Sequence, residues 1–191
     1  MTSIWWRTVC APASAASRSE PVAEVGRPSP GRRSPGQLFL LFSMGSDRYA
    51  LDVHEVVEVL PLRRFKQIPA APGWVAGLFV FRGTPVPVID LTAQALGRPA
   101  QVRTSTRLVV VHYQPRADQP ARLLGLILEQ ASDTLRSPIE AFVDSGVSLP
   151  DARYLGPVLK SAQGLVQWVR VADLLDESVR ELLYAAPEAN Q

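Results

Sequence analysis

His54 stands beside Asp52 and Glu55, and such a trio is where proton transfer or metal binding would have to begin. A metal site would need these three to converge with further ligands, and the sequence offers few. A Ser–His–Asp arrangement would have to use His54 or His112, because the chain has two histidines. His112 lies in the apolar run Val109-Val-Val-His-Tyr113, where a structural or rim histidine is expected. The acids of Asp173-Leu-Leu-Asp-Glu177 read as the solvated face and first turn of a helix, which favours negative charge. No Gly-x-x-x-x-Gly-Lys, Gly-x-Gly-x-x-Gly or Gly-x-Ser-x-Gly stretch occurs. The single cysteine, Cys10, argues against a disulfide framework and a cysteine-based zinc site, and fits a reducing cytoplasm. These tests point away from an enzyme, a metal or another cofactor.

One charge does stand out. Arg82 lies among apolar residues in Gly77-Leu-Phe-Val-Phe-Arg-Gly83. A guanidinium held against apolar strands is costly unless it is paired and hydrogen-bonded. The best partner in sequence is Glu58, in Val56-Val-Glu-Val59. Two readings stay open: a purely structural Glu58–Arg82 ion pair, or an arginine held at a groove and presented to a partner protein.

The elements that must position these residues begin at Gln37. Residues 1–36 hold five Pro, three Gly and six Ser, too punctuated for a packed element, and read as a flexible leader. That leader also carries the positive charge. The chain is +2 overall, but residues 1–36 are +3 (five Arg, two Glu) and residues 37–191 are −1 (fifteen cations, sixteen acids). A basic nucleic-acid binder is not expected from the remainder. The stretch Met1–Cys10, broken at Arg7 and Thr8, lacks a clean signal-peptide core, and no window reaches the length of a spanning helix.

From Leu38 the texture is that of short strands. Leu38–Phe42 and Arg48–Leu51 read as a hairpin around Gly45-Ser46-Asp47, and residues 53–60 as a turn followed by a strand. Trp74–Phe81 and Thr84–Ile89 form a second pair, broken at Arg82-Gly83. Pro85 and Pro87 remove two ladder donors from one side of that strand, so it must be an edge or leave its partner there. Asp90 caps a short helix, Leu91–Leu96, with Gly97 as its stop. Arg107–Tyr113, Arg122–Leu128, Ser132–Leu135, Tyr154–Lys160 and Leu165–Arg170 are expected strands, with Gly146 to Asp151 a loop. A final helix follows from Val171 through Leu183, stopped at Pro187. Val88-Ile-Asp-Leu91 and Val171-Ala-Asp-Leu174 form a faint internal echo, consistent with two small β-barrels.

Phe42-x-x-Gly45-x-x-x-Tyr49-Ala-Leu-Asp-Val53, Val56-x-Glu58-Val59, Ile68-Pro69, Trp74-Val-x-Gly77 and Arg82-Gly83-x-x-Val86-Pro-Val-Ile-Asp-Leu91 together resemble the CheW domain, the coupling module of bacterial chemosensory arrays. Leu124-Gly-Leu-Ile-Leu128 with Ser132-Asp133 resembles the family's second-half strands. The resemblance implies an all-β fold with short helices: two SH3-like five-stranded barrels around a shared core, plus a C-terminal helix, over residues 37–185. Residues 186–191 are left as a tail. It implies a role without catalysis, tying the cytoplasmic tip of a chemoreceptor, a helical hairpin, to the regulatory domain of a CheA-type histidine kinase. It further implies a cytoplasmic protein recruited to membrane receptor arrays through its partners, with no nucleic acid and no direct membrane contact. By position, Val56, Arg82, Leu124 and Gly125 fall where the family meets the receptor, in a groove between barrels. Glu58 falls on the acid that pairs with the arginine of the Arg-Gly motif. Gly77 and Gly83 match glycines of tight strand packing near the kinase-facing surface. The leader, the loop 114–121 and the segment 136–153 match poorly, and such loops choose partners. The alternative to the adaptor is a barrel pair that binds some other helical or extended peptide outside chemotaxis.

Overall fold

The computed structural model describes residues 36–146 and 152–184. The expectations for the leader before Gly36, for most of the loop up to Asp151, and for Pro187 and the tail lie outside these residues.

The described residues open with a hairpin of β1 (Gln37–Met44) and β2 (Asp47–Asp52), turned at Gly45 with φ 67°. A 3-10 turn, Val53–Glu55, leads into β3 (Val56–Pro61). The second hairpin is β4 (Val75–Phe81) and β5 (Thr84–Asp90). Next comes α1 (Leu91–Leu96). Asp90 Oδ1 accepts from Ala93 N at 3.0 Å to start this helix, and Gly97 ends it at φ 68°. β6 (Arg107–Tyr113) and β7 (Arg122–Ser137) form a third hairpin, β8 (Leu155–Ser161) and β9 (Gly164–Val169) a fourth, and α2 (Glu177–Tyr184) closes the described chain.

Two five-stranded sheets share one strand. The first runs β3-β6-β7-β5-β4, with β5 parallel to β7. The second runs β7-β1-β2-β9-β8, with β9 parallel to β2. β7 joins β5 only from Val88 onward, so the strand bearing Pro85 and Pro87 has left its partner at those residues, as their missing N–H groups require. Phe79, Phe81, Val88, Leu108 and Val110 fill the first sheet's own core, and Phe39, Leu41, Phe142 and Val166 the second's. A larger cluster, including Phe42, Val109, Val111, Leu124 and Val171, lies on the face that both share. The run Leu108-Val-Val-Val111 is continuous because alternate residues enter two different cores.

Two expectations are corrected. Arg122–Leu128 and Ser132–Leu135 are one 16-residue strand. At its middle Gln130 takes φ 50° and the register against β1 shifts between Leu41 and Ser43, a bulge that lets one strand serve both sheets. The C-terminal helix also starts later than its apolar stripe. Val171–Asp173 is a 3-10 turn, and α2 begins after Asp176, whose Oδ1 accepts from Val179 N at 2.8 Å. That hydrogen bond, with a second that Ser178 Oγ donates to the same oxygen, holds the Asp176 carboxyl below its ordinary pKa.

Candidate functional site

Register places several of the singled-out residues on one rung. Glu58 pairs with Val110, Val110 with Gly125, Gly125 with Val88, and Val88 with Gly77, so the row crosses all five strands of the first sheet. Gly125 is buried, and a Cβ there would stand 2.9 Å from Val88 Cγ2 and 3.1 Å from Leu108 Cδ1. Gly77 has φ 130°, and a Cβ would run into the Lys66 carbonyl oxygen. That carbonyl belongs to the short bridge by which Lys66 and Leu78 exchange backbone hydrogen bonds of 2.8 and 2.7 Å.

Arg82 and Gly83 form the two-residue turn between β4 and β5, with φ of 50° and 84°. Positive φ at both positions is the geometry of the type I′ turn, which matches strand twist and is usually built from Asn-Gly or Gly-Gly. An arginine at the first position is strained by about 1 kcal/mol. Its Nη2 donates to Glu58 Oε2 at 2.6 Å, tying the β4–β5 turn to β3, and its guanidinium lies 4.9 Å from the Phe81 ring centre. The pair predicted from sequence is therefore present, but its setting differs. The Arg82 side chain is 72% exposed and that of Glu58 35%. The apolar neighbours Phe79 and Phe81 turn into the core, while Arg82 sits beyond the last strand residue and points to solvent. An ion pair so exposed contributes at most about 1 kcal/mol. Val59 and Val80, on the two strands that the pair ties together, are exposed apolar side chains. Gly83 has nothing within 4 Å of a built Cβ, so its φ, and not tight packing, requires glycine.

Val56, Val111 and Leu124 form another row, on the face of the shared core. Val56 is half-buried, whereas Leu124 is 0% exposed. Of the four residues that the resemblance leads one to expect at a receptor surface, Arg82 and Val56 reach solvent, whereas Leu124 and Gly125 are buried in the sheet beneath.

The His54 trio is a cap. Asp52 Oδ1 accepts from His54 N at 2.9 Å and lies 3.0 Å from His54 Nδ1, while Gln37 Nε2 donates to Asp52 Oδ2. His54 and His112 are both exposed, and no group of three His, Cys, Asp or Glu that could hold a metal is found among the described residues. Glu55, which sequence reasoning passed over as a site of its own, has Oε2 buried without a hydrogen-bond partner. Burial, helped by the Asp52 charge, raises its pKa from 4.5 to about 7.

A family model described as a CheW-like domain matches residues 38–179. The chain belongs to the CheW-like family. It is 27% identical over 100 residues to the chemotaxis protein CheW of Klebsiella aerogenes, covering 52% of this chain and 57% of that protein. With the chemotaxis protein CheW of Bacillus subtilis it shares 21% identity over 145 residues, 74% of this chain and 88% of the relative. Protein PilI of Pseudomonas aeruginosa is 28% identical over 101 residues, 53% of each chain. The matched region thus spans little more than half of the Klebsiella relative. Among solved structures, the scaffolding protein TtCheW from Thermoanaerobacter tengcongensis superposes with a TM-score of 0.67 at 20% identity, over 80% of this chain and 96% of that one. The likeness establishes the fold: two SH3-like barrels sharing β7 and a central core, mostly β with short helices, as the sequence led us to expect.

Proposed function

We propose that this CheW-like chain is a non-catalytic adaptor that couples the cytoplasmic tip of a chemoreceptor to a CheA-type histidine kinase. In this reading it works in the cytoplasm at membrane receptor arrays, reached through its partners, and takes no cofactor and no nucleic acid. Family membership supports the scaffold role. No helix among the described residues is long and apolar enough to cross a membrane.

The observation that carries the reading is the Arg82 turn. A strained, exposed arginine occupies a turn position that asparagine or glycine would fill more stably, and its ion pair returns little stability. Local preference broken without a folding gain marks a residue kept for what it touches. Arg82 at the rim sets register on the receptor tip by a polar contact, and Val56 beside the shared core meets its apolar positions. Gly77 and Gly83 keep the β4 edge and its turn in the shape that faces the kinase.

The test is a pull-down with the full chain as bait from a lysate of the source organism, comparing wild type with Arg82→Asn and Val56→Asp. Asparagine tolerates the turn, so Arg82→Asn is expected to leave the melting temperature unchanged or raise it slightly while losing the receptor. Recovery of a chemoreceptor and a CheA-like kinase by the wild type, with the receptor lost in a fully folded Arg82→Asn, supports coupling. Equal loss of stability and binding would return Arg82 to a structural ion pair. A folded wild type that captures neither protein would remove the chemosensory role.

A further inference from the structure

Around the turn Val53–Glu55, the neighbouring acids have donors and Glu55 does not. Asp52 is held by His54 and Gln37, and Glu58 by Arg82. Glu55 Oε2 is buried and accepts no hydrogen bond. The charge that acts on it, Asp52, is of its own sign. The turn packs on β1, which carries no ionisable residue, and on β6. On β6, Arg107 stands at the far end opposite Pro61, His112 is exposed, and the buried Tyr113 is a neutral phenol. Neither strand gives Glu55 a cation.

This turn is also the seam of the two barrels. Val53 and Val56 pack on the shared core, and Val57 on the core of the first barrel. Val56 is half-buried and is the apolar residue given above to the receptor helix. Glu55 is half-buried beside it, and rotation about its terminal bond exchanges its two oxygens, so a helix lying on Val56 reaches the carboxyl. An unpaired carboxylate costs the fold stability that glutamine would not, and nothing in the fold offsets it. A cation from outside would supply the missing charge-assisted hydrogen bond. On a helix, residues three or four apart are neighbours at about 5–6 Å, so a cation spaced that way from the side chain on Val56 falls over Glu55.

We propose that Glu55 selects the docking helix by taking a lysine or arginine three or four residues from the apolar side chain that meets Val56. This rests on the coupling role proposed above. Free Glu55 titrates at about 7, and a cation held against it returns the carboxyl toward its ordinary 4.5. Below pH 7 the free acid holds a proton that docking must expel, and above it the acid is already ionised. Affinity therefore climbs as pH rises toward 7 and levels off above. Between pH 6 and pH 8 the gain is about tenfold, and at pH 6.5 each complex releases about 0.7 of a proton.

The test titrates a purified chemoreceptor cytoplasmic hairpin from the source organism into full-length wild type and Glu55→Gln by calorimetry, from about pH 6 to pH 8. Enthalpies measured at pH 6.5 in phosphate and in Bis-Tris, buffers of unlike ionisation enthalpy, give the protons released. Wild type is expected to release about 0.7 of a proton and to bind about tenfold tighter at pH 8 than at pH 6. Glu55→Gln, its fold checked by melting, is expected to release none, to lose the slope, and to bind roughly tenfold more weakly than wild type at pH 8. His54 and His112 are present in both proteins, so a slope that survives in Glu55→Gln belongs to them and overturns the inference. A variant that binds more weakly while wild type releases no proton assigns the contact to a neutral donor, and overturns the cationic partner. Either result leaves the coupling role intact. No binding by wild type at any pH removes the coupling role and this inference together.

Discussion

Replacing Glu55 by glutamine tests whether the turn joining the two barrels carries a buried carboxylate that folding disfavours. Glu55 Oε2 is buried and unpaired, Asp52 at the start of the same turn adds a second negative charge, and Asp52 is already satisfied by Gln37 and His54. The pKa rises from 4.5 to about 7. A carboxyl moved that far bears a penalty of at most about 3 kcal/mol when ionised. Glu55 keeps part of its surface in water, and solvent screening reduces the figure to about 1–2 kcal/mol. The folded state holds the proton more tightly than the unfolded chain. The contribution of this group to stability is therefore complete below pH 4.5, lost as pH rises from 4.5 through 7, and constant above. The amide of the variant does not titrate and carries no such dependence. Urea unfolding should show Glu55→Gln more stable than wild type by about 1–2 kcal/mol at pH 8 and by almost nothing near pH 4.5. A gain equal at both pH values, or a variant less stable than wild type at pH 8, would refute the burial argument.

Other substitutions separate the roles of neighbouring residues. Gly77→Ala should cost more than about 3 kcal/mol in chemical unfolding, since φ 130° and the Lys66 carbonyl leave no place for a methyl group. Gly83→Ala should cost only about 1 kcal/mol, because φ 84° is strained for alanine but the space is open. Asp90→Ala should lower stability by about 2 kcal/mol, because Oδ1 caps α1 at Ala93 N and Oδ2 accepts from Ala100 N at 2.8 Å. Its melting curve is the check.

The hairpins and α1 were legible because their signals are local. Gly45, Arg82-Gly83, Asp90 and Gly97 each act on the backbone where they stand. What could not be read was set by distant partners. Gln130 carries no turn signal, yet β7 kinks there because its two halves join different sheets. The stripe from Val171 to Leu183 has helical spacing, but Val171 and Leu174 reach the shared core from a 3-10 turn and Asp176 then starts the helix afresh. The candidate site divides the same way. The Glu58–Arg82 pairing followed from charge and spacing, but its exposure depended on Arg82 falling in the turn and not in the strand. Leu124, set at the receptor groove by the resemblance, lies in the shared core, and an apolar strand residue does not reveal in sequence which of two cores it enters.

The internal echo has a consequence for how an adaptor of this kind can work. Strand for strand, β3-β6-β7-β5-β4 is repeated by β7-β1-β2-β9-β8, including the parallel pair at the fourth strand. The repeat is circular. Strands β3 to β7 complete the first barrel from continuous chain, whereas the second takes the far half of β7, β8 and β9 and is finished by β1 and β2 from the other end. The second barrel therefore carries the larger loop-closure cost, since its strands meet from opposite ends of the chain. Without β1 and β2 it would lie open between β7 and β9, and Phe39, Leu41 and Ala50 would leave its core. The return also locks the barrels together, since β7 passes through both and Phe42 and Leu51, from the returning hairpin, enter the core they share. Two barrels joined by a linker could each hold a partner but would not fix one relative to the other. Two barrels with a strand and a core in common can, and a coupling role exercised through geometry depends on that stiffness.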